Sequence, residues 1–381
     1  MRGSIRQRGK TSWEIQVYTG KGPDGKARRH FETIKGNKGN AQKRLRELLT
    51  LLDQAIYIPP VKTTAAALFE EWLRGYVKTN CSIRTKESYR STIEHHLLPA
   101  LGHIQLKDLQ PAVIQSYYGR ACEKLSSKSV LYHHRILKQC LKYAMRQGYL
   151  GRNPCDLVDP PKARRKPMRT LTPEEVETLL KTASGNQFYP VIYTAISTGL
   201  RQCELLGLRW RDIDFDSPSI SVCQALYKRC GICEFHEPKT SHSKRCVNMT
   251  AKLTDYLSEY KAERESLSLH IGRLLKPDDL VFSNGEGAPI DPGVLSHNFA
   301  RILKRAGIDN ARFHDLRHTF ASLMLLRGAK PKVISEALGH ASVAFTMDTY
   351  SHIIEGMQSE AMELLDGVLP AGNNGNLTAE N

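Results

Sequence analysis

The sequence predicts a multidomain protein, mainly α-helical with small antiparallel β-sheets. Three observations predict it. At 381 residues the chain is too long for one compact core, so two or three domains are expected. Its hydrophobic period is two at Trp13, Ile15 and Val17 and becomes helical in the segments that follow. A stretch of prolines and basic residues, from Arg152-Asn153-Pro154 to Lys166-Pro167-Met168-Arg169, then divides the chain.

Ser4 to Arg8, Trp13 to Tyr18 and Arg28 to Ile34 read as three strands, the last two joined by the turn at Gly20 to Gly25. Residues 39–56 read as a helix with Leu45, Leu48, Leu49 and Leu52 on one side, ended by Pro59-Pro60. Residues 1–58 therefore make a sheet-plus-helix domain whose basic sheet face suits a DNA groove. Residues 62–155 read as helical throughout. Thr63 or Thr64 caps a first helix carrying Leu68, Phe69, Trp72, Leu73 and Tyr76; Thr85 to Leu98 form a second. Pro111 starts a third, and Ser127 or Ser129 a fourth. Residues 156–169 are the linker.

Thr172-Pro173-Glu174-Glu175 opens the next domain with a helix cap, over residues 170–368. It mixes α and β. Helices are expected at 173–182, 187–198, 202–207, 250–263, 292–305, 314–327, 331–338 and 342–351, and strands near 219–228, 231–237 and 244–248. Met357, Ala361, Met362, Leu364 and Leu365 form an apolar stripe. Residues 369–381 read as a disordered tail.

A net charge of +16 and a pI near 9.4 point to a polyanionic partner, and the charge comes in clusters. No apolar run reaches about 18 residues, and the N-terminus lacks an apolar signal core. Neither a membrane span nor secretion is expected. Nine cysteines at irregular spacing suggest reduced thiols and a cytoplasmic protein. His95-His96 and His133-His134 lack the i,i+4 spacing of a helical zinc site. Cys230 and Cys233, with His236, His242 and Cys246 nearby, could hold zinc, but Gly231 equally makes a plain hairpin turn. No metal and no cofactor is expected.

The chemistry sits in scattered polar motifs: Thr198-Gly199-Leu200-Arg201 with Glu204, His314-Asp315-Leu316-Arg317-His318, Leu338-Gly339-His340, and Tyr350. Such a set can cut a phosphodiester with a phenolate and no metal. Arginine's planar fork stays charged and grips two oxygens of a pentavalent transition state, a role that fits Arg201 and Arg317. Arg317 lies one helical turn after His314, which can then serve as proton acceptor or phosphate donor. The leaving deoxyribose oxygen needs a general acid. Lys239, in Glu237-Pro238-Lys239-Thr240, is the best candidate; Lys228 and Lys244 are weaker ones.

In this order, with Pro238-Lys239-Thr240 between them, the motifs resemble the tyrosine recombinase family of the phage-integrase type, and the likeness covers nearly the whole chain. The N-terminal unit resembles the arm-type DNA-binding domain of integrases from phages and integrative conjugative elements. Residues 62–155 resemble the core-binding domain. The resemblance implies that Tyr350 is the nucleophile and forms a 3′-phosphotyrosyl link. It implies that Arg201, Arg317 and His340 hold the scissile phosphate, that Lys239 protonates the 5′-oxygen and that His314 assists at the tyrosine. Glu204 and Asp315 become orienting groups. His318, Phe320 and Trp210 read as structural. Ligation would need neither ATP nor Mg²⁺. The expected partners are double-stranded core and arm attachment sites, a homotetramer on DNA, an excision factor and a host DNA-bending protein. Two rival functions remain: DNA relaxation of the type IB topoisomerase kind, and a non-catalytic sequence-specific DNA-binding protein.

Overall fold

Alternating apolar residues in the first 35 positions produce an antiparallel sheet ordered β1 (Gly3–Gly9), β2 (Ser12–Lys21), β3 (Ala27–Lys35). Ile5 pairs with Ile15, and Trp13 with Ile34, so one face is apolar. Ile15 and Val17 are fully buried there, with Ala41 and Leu48 of helix α1 (Lys38–Asp53). The opposite face carries Arg6, Gln16, Tyr18, Arg29 and Phe31, with Gln16 paired to Phe31 at its centre. Phe31 stays exposed. The computed structural model describes residues 3–21, 27–53, 63–163, 168–229, 231–237, 244–340, 342–344 and 346–350. The chain divides into two units, Met1–Lys166 and Pro167–Asn381.

A second core in the first unit is built by helices. Thr64 caps α2 (Ala65–Trp72) by accepting from Ala67 N at 3.3 Å. A π-helical turn, Leu73–Val77, leads into α3 (Lys78–Asn80). It adds one residue to the helical period, so Val77 is buried five positions after Trp72. Next, α4 (Ile83–Thr92) begins two residues before Thr85 because Ser82 is the cap. A second π-helical turn, Ile93–Leu97, joins it to α5 (Leu98–Leu101). Then come α6 (Pro111–Lys124), started by proline, and α7 (Ser127–Arg146), capped by Ser126. Leu68, Phe69, Trp72, Leu97, Ile114 and Leu137 fill the interior. Both histidines of the His133-His134 pair are buried, and each Nδ1 lies 2.8 Å from a tyrosine hydroxyl, Tyr117 and Tyr118 respectively.

In the second unit, α8 (Pro173–Ala183) carries the expected capping box of Thr172 and Glu175. It is followed by α9 (Tyr189–Thr198) and α10 (Gln202–Leu206). The strands are β4 (Ile213–Asp214), β5 (Ser219–Val222), β6 (Ala225–Arg229), β7 (Ile232–His236) and β8 (Arg245–Asn248). They form two sheets, β4-β5-β8 and β6-β7, so the single strand expected at 219–228 is two. The break lies at Cys223-Gln224, where Gln224 Nε2 donates to Gly207 O at 2.8 Å. A Cβ on Gly207 would come within 3.0 Å of Ala225 Cα, so the chain turns closely over a glycine. The next helix, α11 (Ala251–His270), runs seven residues past its expected end, through solvated helix formers such as Glu263, Arg264 and Glu265. Three more follow: α12 (Pro292–Arg305), α13 (Asp315–Leu326) and α14 (Pro331–Leu338). Residues 343–344 and 346–350 are helical. The largest core lies among α8, α9, α11, α12 and β5, with Trp210 inside it. A smaller cluster gathers Phe320, Leu325, Ile334, Leu338 and Tyr350. Lys239, the 357–366 stripe and the 369–381 tail lie outside the described residues. Among the described residues, no helix is long and apolar enough to cross a membrane.

Candidate active site

Two glycines set up the site. Gly199 ends α9 with φ 65°, and Gly339 ends α14 with φ 63°. This left-handed conformation closes a helix and favours glycine. At Gly199 a side chain is excluded twice over, because its Cβ would meet Phe320 Cδ1 at 2.5 Å. The helix ends leave carbonyls of partial negative charge facing inward. Arg317 collects them: Nη1 donates to Gly199 O at 2.9 Å, and Nη2 donates to Leu338 O. Only 3% of Arg317 is exposed. Burial, followed by the nearby Arg201 charge, pushes its pKa down to about 9, which leaves it a cation at neutral pH.

Arg201 stands at the start of α10. Its Nη1 donates to Glu204 Oε1 at 2.7 Å, and its Nη2 reaches Gly339 O at 3.4 Å. Glu204 Oε2 also accepts from Arg201 N at 2.9 Å. Arg245, on β8, approaches the same carboxylate with Nη1 and Nη2 at 3.1 and 2.9 Å, and its Nε donates to Ala337 O at 2.6 Å. Burial alone would raise the Glu204 pKa; hydrogen bonds and charge from Arg245, then Arg201, carry it below the ordinary range. Arg245 was not singled out from the sequence. It is one of 55 basic residues, in no motif, and its partner Glu204 lies 41 positions away.

Asp315 opens α13, and its Oδ2 accepts from Arg312 N at 2.8 Å. His314, just before it, keeps solvent access, yet desolvation on its protein side and then Arg317 lower its pKa. His340 follows Gly339, with Nδ1 2.8 Å from Thr346 Oγ1. Burial and Arg317 push it down to about 4. Tyr350 is 1% exposed, and its hydroxyl lies 2.8 Å from His318 Nδ1. Burial pushes the phenol up to about 12, while Arg317 pulls it back.

Arg201, Glu204, Arg317 and His340 therefore lie in one cluster. Tyr350 is tied to it through His318, and His314 sits at its rim. Of the weaker lysine candidates, Lys228 is ion-paired with Asp291 and Lys244 with Glu237. Among the described residues, no group of three or more His, Cys, Asp or Glu could hold a metal; Cys230 and His242 fall outside them.

Comparison with known proteins follows the same division. Residues 169–356 match the phage integrase family, and residues 64–120 match its N-terminal SAM-like domain. The ICEBs1 integrase of Bacillus subtilis is 32% identical over 64% of this chain and 67% of its own length. This chain belongs to the phage integrase family. A tyrosine recombinase XerC-like protein of Caldanaerobacter subterraneus is 29% identical across 94% of this chain and 96% of its own. Among solved structures, the Tn1549 transposon integrase in complex with a circular-intermediate DNA superimposes with a TM-score of 0.69 at 23% identity, covering 79% of this chain and 99% of that one. A lambda integrase dimer bound to a core site gives 0.59 at 18% identity, over 75% and 95%. The integrase described here is thus a tyrosine site-specific recombinase with the helical, small-sheet fold of that family.

Proposed function

We propose that this integrase cuts DNA by attack of Tyr350 on a phosphodiester, forms a 3′-phosphotyrosyl link, and rejoins the strand to the 5′-hydroxyl of a partner duplex, so integrating and excising a mobile element. The observation that carries this reading is the convergence of two guanidinium groups, Arg201 and Arg317, on the helix-end carbonyls of residues 199, 338 and 339, with Tyr350 packed behind α13. Each guanidinium has five N–H donors, more than these carbonyls use, so donors remain for phosphate oxygens. Cations preorganised in this way stabilise the charge of a pentavalent phosphorus.

In this reading Arg201, Arg317 and His340 hold the phosphate. His314 assists proton transfer, Lys239 protonates the 5′-oxygen, and Glu204 and Asp315 orient their neighbours. The covalent link conserves the bond energy, so ligation draws on no ATP and no Mg²⁺. Residues 1–58 bind arm sites, residues 62–155 bind core sites, residues 156–169 link, and residues 170–368 carry the reaction in a homotetramer on two duplexes. An excision factor and a host bending protein set direction. The mobile-element assignment is supported by the name of a relative, the ICEBs1 integrase of Bacillus subtilis.

The test is a nicked suicide duplex carrying the element's crossover site, incubated with protein and then denatured. A covalent adduct is expected, persisting in EDTA and absent in Tyr350→Phe. An adduct from the Phe variant would assign the nucleophile elsewhere. Specific DNA retention without any adduct would favour a non-catalytic binding protein.

A further inference from the structure

The nucleophile has a partner outside the set of residues assigned above. Tyr350 Oη and His318 Nδ1 are 2.8 Å apart, and both side chains are buried. His314, the residue expected to assist at the tyrosine, meets His318 instead, ring edge to ring face, with centroids 5.2 Å apart. We propose that His318 is the base that takes the Tyr350 proton during strand cleavage and returns it during ligation. This rests on the phosphotyrosyl reading and deepens it.

Geometry comes first. A general base must lie within about 2.6–3.2 Å of the atom it deprotonates, and His318 Nδ1 already does. His318 also follows Arg317 directly, so one helix places both the phosphate-holding cation and the proton acceptor. In cleavage the Oη–P bond forms and the P–O5′ bond breaks. The Oη proton passes to His318 Nδ1, giving an imidazolium, while the 5′-oxygen takes its proton from a separate acid. Ligation runs these transfers backward, so no proton is gained or lost over a full cycle.

Charge decides when the base works. The groups acting on this corner are His314 just before α13, Asp315 and Arg317 on it, Arg201 and Glu204 at α10, Arg245 on β8, and His340 after α14. Burial, then His314, push His318 down to about 4, so it is neutral at pH 7 and its Nδ1 can accept. A phosphate arriving at Arg201 and Arg317 brings negative charge beside the imidazole. That charge favours the imidazolium, so basicity rises as substrate is engaged.

The experiment compares single-turnover adduct formation on the nicked duplex for wild type, His318→Asn and His318→Ala. The Asn side chain can hydrogen-bond the Tyr350 hydroxyl but cannot hold its proton. We expect adduct formation to slow about 100-fold in both variants, the typical worth of a general base, with DNA retention unchanged and added imidazole restoring the Ala variant. A rate in His318→Asn equal to or faster than wild type overturns the proposal; the faster result would make the contact a restraint. Nitrogen-15 NMR of the wild-type His318 ring needs no variant to fold. Nδ1 must be unprotonated at pH 7, and a proton there overturns the proposal equally. If wild type itself forms no adduct, the phosphotyrosyl reading fails instead.

Discussion

Among the described residues, three tyrosine hydroxyls lie 2.8 Å from a histidine Nδ1, in two different surroundings. Two of these pairs, Tyr117 with His133 and Tyr118 with His134, join α6 to α7 in the helical core. The third, Tyr350 with His318, belongs to the catalytic unit. Distance and burial hardly separate them. Charge does. Burial alone pushes Tyr117 up to about 12; Tyr118 is raised further, by burial first and then by Cys155. Tyr350 also reaches about 12, but there Arg317 works against burial. A tyrosine–histidine pair is thus a way to satisfy two buried polar groups, and of these three phenols Tyr350 is the one that an arginine pulls down against burial.

The largest expected effect comes from removing a cation that holds the pocket. Arg245→Ala strips the buried Glu204 of the side chain that donates to both of its oxygens and should cost about 3 kcal/mol or more. Urea unfolding of the full chain measures it, and a loss below about 1 kcal/mol would show Arg201 sufficient alone.

In the helical core the corresponding lever is acid. His133 is pushed down to about 4, chiefly by burial and then by His96, and His134 is lowered too. An unfolded histidine takes up its proton near pH 6.5, so stability is full above that pH and is lost as pH falls toward 4. For His133 alone the loss approaches about 3 kcal/mol. Amide exchange of α7 in the intact protein should quicken across this window, and His133→Gln should flatten the dependence; exchange rates that do not change with pH there would contradict it.

Smallest is Tyr117→Phe, which leaves His133 Nδ1 buried without its partner, at a cost of about 1–2 kcal/mol. Thermal melting should register that cost while adduct formation on DNA stays at the wild-type rate. Together with Tyr350→Phe, in which the adduct vanishes, it separates a structural pair from a reactive one. A cleavage defect in Tyr117→Phe would erase the distinction.

Local chemistry was legible in the sequence. Thr64, one of two candidates, and Thr172 cap their helices, and Pro111 and Pro173 start theirs. The ordered polar motifs led to the pocket, because each keeps its residues within a helical turn or at a helix end. What stayed hidden depends on distant partners. Arg245 acts on Glu204, 41 positions back, and on Ala337, 92 positions ahead. The contact of His318 with Tyr350 spans 32 positions, so no local motif announces it. The π-helical turns escaped because one added residue blurs a helical stripe without erasing it. The break at Cys223-Gln224 escaped because both pieces alternate as strands do.

One feature of the pocket bears on how such a protein can change over generations. Arg317 binds the last carbonyls of two helices, 118 positions back and 21 ahead, and is also proposed to grip the phosphate. Selection on this side chain therefore acts on two traits at once, a folded pocket and a reactive one. A lineage that ceased to cut DNA but kept binding it would still be pressed to retain Arg317, whereas drift of Tyr350 to phenylalanine would cost only the pairing of His318, about 1–2 kcal/mol. Among descendants of such a chain, loss of the tyrosine is the earlier and cleaner mark of lost activity.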